Sequence, residues 1–444
     1  MYYCYMRNNI AYSGADELSY EIREIVEVAH QIEKMGVNII WENIGDPIQK
    51  GHFVPLWIKE IVRDIVMQDD LVFGYSPTKG LLETREYIVS EHNKKCDKSR
   101  ANISKITAED ILFFNGLGDA ISHIYGNINE HVRLIGPNPA YSTHSSTEAA
   151  HADSPHITYR LDPSRDWTPD LDDLRNKVKY NPSIGGIIII NPDNPTGFVY
   201  SKDVLVKIVA IAREFDLFIV ADEVYTNIVY GGAVMIPLSD VIGNVPGMSL
   251  KGLSKEVPWP GSRCGWIEFY NTDKDPIFAR YVKSLVDSKM LEVCSTTLPQ
   301  KALPRILSDT RYPTYLAENN AIYNKRAELF YKTLSVIPNI TCVQPRGALY
   351  ATVVFNNGAL KPNQSLPFKN NNIKEYIEPL VKDMALDKRF VYHLLASTGV
   401  CVVPLSGFNS DLPGFRMTLL EIDEKIFKST LDTIADAINR YLNS

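Results

Sequence analysis

The chain has 444 residues, of which 45% are hydrophobic and 22% charged, with a formal net charge of −7. This is ordinary globular composition, in a chain long enough for one large core and a second lobe. No run of Lys and Arg stands out and no apolar run reaches the length of a bilayer span, which argues against a nucleic-acid binder and a membrane-spanning protein.

The opening MYYCYMRNN lacks the charged start and apolar stretch of an export signal, so a cytoplasmic location is expected. The six cysteines, Cys4, Cys96, Cys264, Cys294, Cys342 and Cys401, are scattered without a C-x-x-C pair. They read as reduced thiols, not as a disulfide framework or a zinc site, and no metal is expected.

Residues 18–35 carry apolar side chains at Ile22, Ile25, Val26, Ala29 and Ile32, the spacing of an amphipathic helix. Residues 55–67 and 79–95 also read as helices. From about 110 onward, short apolar runs at 111–114 (ILFF), 132–136 (VRLIG), 186–190 (GIIII) and 217–222 (LFIVAD) alternate with helical stretches. One such stretch opens at Ser201, a good helix cap. Continuous apolar strands separated by helices predict an α/β fold whose parallel sheet is buried on both faces. Residues 356–375, rich in Asn, Pro and Lys, read as a loop or surface insertion. A helix near 386–398, a strand at 400–404 and a final helix at 423–441 follow. The expected division is an N-terminal segment (1–60) contributing to a small domain, a large domain (61–320), and a C-terminal small domain (321–444) with an insertion near 356–385.

In a parallel sheet, ligands sit outside the carboxyl ends of the strands. Residues with chemical potential do follow the predicted strands. After 111–114 comes Asn115-Gly116-Leu117-Gly118, a strand-to-helix turn whose backbone N–H groups can face an anion. Taken alone it is a weak signal, and it is neither a G-x-G-x-x-G nor a Walker loop. Tyr141 follows the second run, NPDNPTG (191–197) the third, and Asp222-Glu223-Val224-Tyr225 the fourth. A carboxylate directly after an apolar strand is costly unless partnered, so Asp222 calls for a functional explanation. Further on, Lys255 and Arg263 stand eight residues apart in a Gly/Pro-rich loop. By themselves they read as two solvated surface cations.

Taken in order, NPDNPTG, ADEVY, GLSK and PGSRCGW resemble the signature of the class I/II aminotransferases, pyridoxal 5'-phosphate (PLP) enzymes of fold type I. DWTPDLDDLRNKV, ADEVYTNIVY and PRGALY are similar to the alanine aminotransferase branch. The likeness runs from about Ala15 to near the C-terminus and departs around 270–312 and 356–385. It implies a large domain with a mainly parallel seven-stranded sheet between helices, plus a smaller α+β domain. It also implies ping-pong transfer of an amino group between an L-amino acid, alanine or similar with glutamate as partner, and a 2-oxo acid, in a homodimer with shared active sites.

The resemblance assigns roles residue by residue. Lys255 would hold PLP as a Schiff base and then move the substrate proton. Asp222 would keep the pyridine nitrogen protonated. Tyr225 and Asn194 would hydrogen-bond the ring's phenolate oxygen, and Tyr141 would stack on the ring or simply pack in the core. Arg263 and the backbone N–H groups of Leu117 and Gly118 would bind the phosphate, with Tyr75 reaching it from the neighbouring subunit. Arg416, with Asn194, would clamp the substrate α-carboxylate, and the backbone of Gly45 would approach it closely; the structural alternative for Arg416 is a surface ion pair. The family often has Ser three residues before the lysine, whereas here Gly252 stands there and Ser254 beside the lysine. One phosphate contact is therefore absent or supplied otherwise. Tyr20 and Arg23 match a Y-x-I-R segment of the alanine branch, where Arg23 is either a helix-surface residue or a partner for a distal carboxylate. Two other readings stay open. A PLP lyase or decarboxylase would need the same Lys255, Asp222 and Arg263. A PLP-fold regulatory domain would need an N-terminal DNA-binding module, and only about 40 residues precede the first motif, short of the roughly 60 of a stable winged helix.

Overall fold

The computed structural model describes residues 10–18, 21–98 and 104–444. Helix α1 (Glu21–Lys34) buries Ile25, Ala29 and Ile32 completely, the face its spacing predicts. These side chains join one core cluster with Leu394, Val400 and Ile434 from the far end of the chain. Tyr20 lies outside the described residues.

The chain continues through β1 (Ile40–Trp41), α2 (Leu56–Gln68), α3 (Leu82–Lys98), β2 (Ile111–Phe114), α4 (Leu117–Gly126), β3 (Arg133–Asn138) and α5 (Ser142–Ala152). Then come β4 (Thr158–Asp162), β5 (Thr168–Pro169), α6 (Leu171–Tyr180), β6 (Ile184–Ile190), α7 (Lys202–Glu214), β7 (Phe218–Asp222), β8 (Gly247–Gly252) and β9 (Gly265–Tyr270). Strands β2 to β9 form one sheet in the order β2-β9-β8-β7-β6-β3-β4-β5. The run from β8 to β4 is parallel. β9 lies antiparallel to both β8 and β2, so the sheet is mainly parallel and not wholly so. The expected seven strands are joined by an eighth of two residues, because a 3₁₀ turn at Pro163–Arg165 folds β5 back onto β4. Every residue of β2 and β9 is buried. Ser201 caps α7 as expected, its hydroxyl accepting from the Val204 N–H.

Helices α8 (Pro276–Leu291), α9 (Thr297–Leu307) and α10 (Tyr312–Leu334) lead to β10 (Ile340–Cys342), β11 (Tyr350–Phe355), α11 (Asn371–Val381) and α12 (Leu386–Thr398). The chain ends with β12 (Val400–Cys401), β13 (Val403–Pro404), β14 (Gly414–Thr418) and α13 (Glu424–Leu442). A second sheet, antiparallel, has the order β10-β11-β14-β13, while β1 pairs in parallel with β12. The loop expected over 356–375 ends early. Asn370 accepts the Ile373 N–H and starts α11, whose Ile373, Ile377 and Val381 recur every four residues and are buried. The Asn-rich lead-in conceals that spacing.

No described helix is long and apolar enough to cross a membrane. Cys264, Cys294, Cys342 and Cys401 are free thiols, and burial pushes Cys264 and Cys342 up to about 12, so both stay protonated and unreactive at neutral pH. Cys4 and the side chain of Cys96 are outside the described residues.

Candidate active site

The carboxyl ends of β6 and β7 and the loop after β8 converge, as the topology rule requires. Asp222 ends β7 and is 3% exposed. One carboxylate oxygen accepts the Val224 N–H at 3.2 Å, and the other lies 3.2 Å from Nε2 of His144, which is buried on α5. The sequence reading missed His144, although it stands three residues after Tyr141.

Lys255 sits in the loop after β8, half-buried, and its Nζ donates to the Gly45 carbonyl at 2.6 Å. Tyr225, in the turn after β7, lies with its hydroxyl 3.0 Å from that of Tyr350 on β11, the rings meeting edge to face. Burial pushes the Tyr225 phenol well up. For Tyr350 burial acts in the same sense, but the charges of Lys255 and Arg416 outweigh it and hold this phenol below its ordinary value. Of the two phenols, Tyr225 is the harder to deprotonate. Tyr350 was quoted only as part of a motif and given no role.

Arg416, in the middle of β14, is 1% exposed, which removes the alternative of a surface ion pair. Its guanidinium donates to the Asn194 side-chain oxygen at 3.3 Å and to the Asn43 carbonyl, and it lies 4.4 Å from the centre of the Tyr350 ring and 5.0 Å from that of Phe408. Asn194 is buried in the turn that follows β6. A Cβ on Gly45 would fall 2.0 Å from the Tyr350 hydroxyl oxygen. Lys255, Gly45, Tyr350, Tyr225, Arg416 and Asn194 thus form one connected group.

A second group lies at the start of α4. Gly116 is its cap residue, with φ 84°, and the backbone N–H groups of Leu117 and Gly118 open the helix. Arg263, in the left-handed region at φ 50°, points its guanidinium at this turn and donates to the Asn115 carbonyl at 3.2 Å. A Cβ on Gly116 would lie 2.5 Å from that guanidinium. Gly252 packs near Leu117 and carries no hydroxyl toward the turn. Tyr141 is the cap residue of α5, half-buried, at 6.4 Å edge-on to His144. Tyr75 is 86% exposed, and Arg23 is exposed on α1. On α4, Asp119 and His123, with Glu292 at the end of α8, could together offer ligands to a metal ion. The Lys289 ammonium already occupies that position, 2.9 Å from Asp119 and 2.5 Å from Glu292.

Fold and site together define an enzyme of the aminotransferase type. Residues 38–434 match the family model for aminotransferase class I and II, and the chain belongs to that family. It is 54% identical to an uncharacterized aminotransferase of Methanocaldococcus jannaschii, over 99% of this chain and 100% of the relative. It is 30% identical to the glutamate-pyruvate aminotransferase AlaA of Escherichia coli K12, over 76% of this chain and 80% of the relative. Among solved structures, alanine aminotransferase from Pyrococcus furiosus superposes with a TM-score of 0.81 at 27% identity, covering 97% of this chain and 98% of that one.

Proposed function

We propose that the chain binds PLP through Lys255 and transfers an amino group between alanine, or a similarly small amino acid, and a 2-oxo acid, with glutamate as the natural partner. The cofactor fits the residues present. The turn at Gly116 leaves a concave anion site between a helix N-terminus and the Arg263 guanidinium, where a side chain would clash. Asp222 offers a buried carboxylate for the ring nitrogen, held by His144. When bound, PLP supplies the electron sink that stabilises a carbanion at the substrate Cα.

The protein's own groups do the rest. Arg416 and Asn194 orient the substrate α-carboxylate, and the fixed guanidinium plane favours two parallel hydrogen bonds. Lys255, on the loop beside Gly45, is the base that takes and returns the Cα proton. Tyr225 keeps its own proton, so it can donate to an oxyanion on the cofactor ring. The observation that carries this reading is the single connected group from Lys255 through Gly45 and Tyr350 to Arg416, which supports reading Lys255 as a proton carrier beside a carboxylate clamp. The names of the relatives, glutamate-pyruvate and alanine aminotransferases, support a small substrate, as does the closeness of Tyr350 to Gly45. We also infer a cytoplasmic homodimer, with Tyr75 completing the partner's phosphate site, and a small domain formed by the first 60 residues with residues 321–444.

The test is chemical. Incubation with L-alanine and 2-oxoglutarate should give pyruvate and glutamate in equal amounts. Release of carbon dioxide without pyruvate would instead favour a decarboxylase, and β-elimination of L-serine to pyruvate and ammonia in place of amino transfer would favour a lyase. Lys255→Ala should lose turnover and the borohydride-trapped cofactor adduct. Persistence of that adduct would mean that another lysine holds the cofactor.

A further inference from the structure

A cavity of about 210 Å³ lies on the other side of β8 from the site just described. Side chains alternate along a strand. Gly252 faces Leu117 and the start of α4, so its neighbour Lys251 projects to the opposite face, toward α3 and α10. There Lys251 lines the cavity with Trp266 and Glu268 of β9, Tyr87 of α3, and Tyr312 of α10.

The charge of the cavity is lopsided. Lys251 is the only Lys or Arg among the described lining residues, and it is already matched. Its ammonium lies 3.0 Å from Glu268 and 3.7 Å from Glu223. Glu268 in turn accepts from the Trp266 indole at 3.1 Å and the Tyr270 hydroxyl at 2.9 Å. The base of the cavity is therefore an ion-paired, hydrogen-bonded floor with no excess of positive charge. His92 also lines the floor, 3.5 Å from Glu268. Three further carboxylates line the more exposed part: Glu91, paired with Lys94 at 2.7 Å, Glu256, which accepts from the Asn227 amide and the Tyr312 hydroxyl, and Asp240, with no Lys or Arg within ion-pair distance among the described residues. Against them stand three aromatic rings, Tyr87, Tyr312 and Trp266, on an otherwise largely apolar wall. Carboxylates beside aromatic faces stabilise an alkylated ammonium: the ring quadrupole attracts the positive charge, and the apolar wall accepts its carbon groups.

We propose that this cavity is a binding site for a small organic cation of the alkylammonium class, separate from the catalytic pocket. The site stands independently of the reading of the catalytic chemistry. Its wall is continuous with the active-site loops, since Glu256 adjoins Lys255 and Thr226 and Asn227 adjoin Tyr225. An occupant therefore touches the backbone that carries both residues.

The test uses the holoenzyme and choline, whose quaternary nitrogen has no N–H and cannot condense with a cofactor aldehyde. Titration calorimetry should show saturable binding at one site per chain. 3,3-Dimethyl-1-butanol, the uncharged carbon analogue of choline, should bind at least about tenfold more weakly, a ratio equal to ~1.4 kcal/mol. Tyr87→Leu and Asp240→Asn should each weaken choline several-fold while leaving KM for alanine unchanged. Equal binding of choline and its uncharged analogue, no saturable binding of choline, or choline binding insensitive to both variants would each overturn the proposal. The comparison of the two ligands uses the unaltered protein, so it stands even where a variant folds poorly.

Discussion

Nε2 of His144 lies 3.2 Å from a carboxylate oxygen of Asp222, and both residues are buried. The carboxylate also accepts the Val224 N–H, so it sits in a dry site with donors on both oxygens. This arrangement keeps Asp222 in place. A hydrogen bond to a charged group contributes roughly 1.5–3 kcal/mol, or about 10- to 100-fold in a rate that depends on it. His144→Phe keeps a ring of similar bulk and removes the donor. We expect kcat/KM for transamination to fall by about that factor, with His144→Gln recovering part of it. Steady-state kinetics on the three proteins checks this, and full activity in His144→Phe would remove His144 from the machinery.

Gly45 and Tyr350 form the second relationship that mutation can address. A methyl group on Gly45 would lie 2.0 Å from the Tyr350 hydroxyl oxygen and 2.9 Å from the ring carbon that bears it. Tyr350 must then move, which disturbs both its 3.0 Å contact with Tyr225 and its stacking on Arg416. Gly45→Ala should therefore raise KM for the amino acid and lower kcat. Tyr350→Phe removes the atom in closest conflict. The double variant should be less impaired than the sum of the single effects, with a coupling above about 0.5 kcal/mol. Strict additivity in kcat/KM would show that the clash is relieved elsewhere.

The parts of this site legible in the sequence are those on or just after apolar strands. β6 and β7 are short, largely apolar runs rich in isoleucine and valine, so the stretches that end them or follow them, with Asn194 and Asp222, could be located from pattern alone. β8 and β9 could not. GMSLKG and GWIEFY both start with glycine and carry a lysine and a glutamate, and they become buried strands because Lys251, Trp266 and Tyr270 all satisfy Glu268. Arg416 gave no local signal either: it lies on a strand of the second sheet and was reached through resemblance. His144 and Tyr350 were invisible for a further reason. Their partners Asp222 and Tyr225 are 78 and 125 residues away, and only the folded chain brings them together.

Asp193, one residue before Asn194, gives a prediction about pH. Complete burial pushes its carboxyl up to about 7, only partly offset by the hydrogen bonds it accepts from the Thr196 N–H and hydroxyl. In the unfolded chain this group titrates near 3.8. Between those values the folded protein binds more protons here than the unfolded one, so this group's contribution to stability is complete below pH 3.8 and falls as pH rises to about 7. Above that it is constant. Asp193→Asn has no such term. The difference in unfolding free energy between the natural protein and Asp193→Asn should therefore shift against the natural protein from pH 4 to pH 7, by an amount of order a few kcal/mol at most, as denaturant titrations at the two pH values would read. A difference flat across that range would show that Asp193 is charged in the fold.

Tyr75 is 86% exposed, and it is not alone: Phe53, Leu71 and Phe73 are 83%, 79% and 73% exposed in the same stretch of chain. Large apolar side chains gathered on a surface mark an interface more often than an isolated exposed residue does. A dimer formed over this stretch would bury these side chains and carry Tyr75 to its neighbour. Leu71→Glu combined with Phe73→Glu would then place two charges in a desolvated contact. Sedimentation should show a dimer for the natural protein and a shift toward monomer for the double variant. If Tyr75 completes the phosphate site across the interface, the same variant should lose most of its affinity for PLP, and PLP should in turn favour the dimer, because a ligand that binds only the assembled form stabilises it by mass action. A variant that is monomeric yet binds PLP as tightly as the natural protein would confine the cofactor site to one chain.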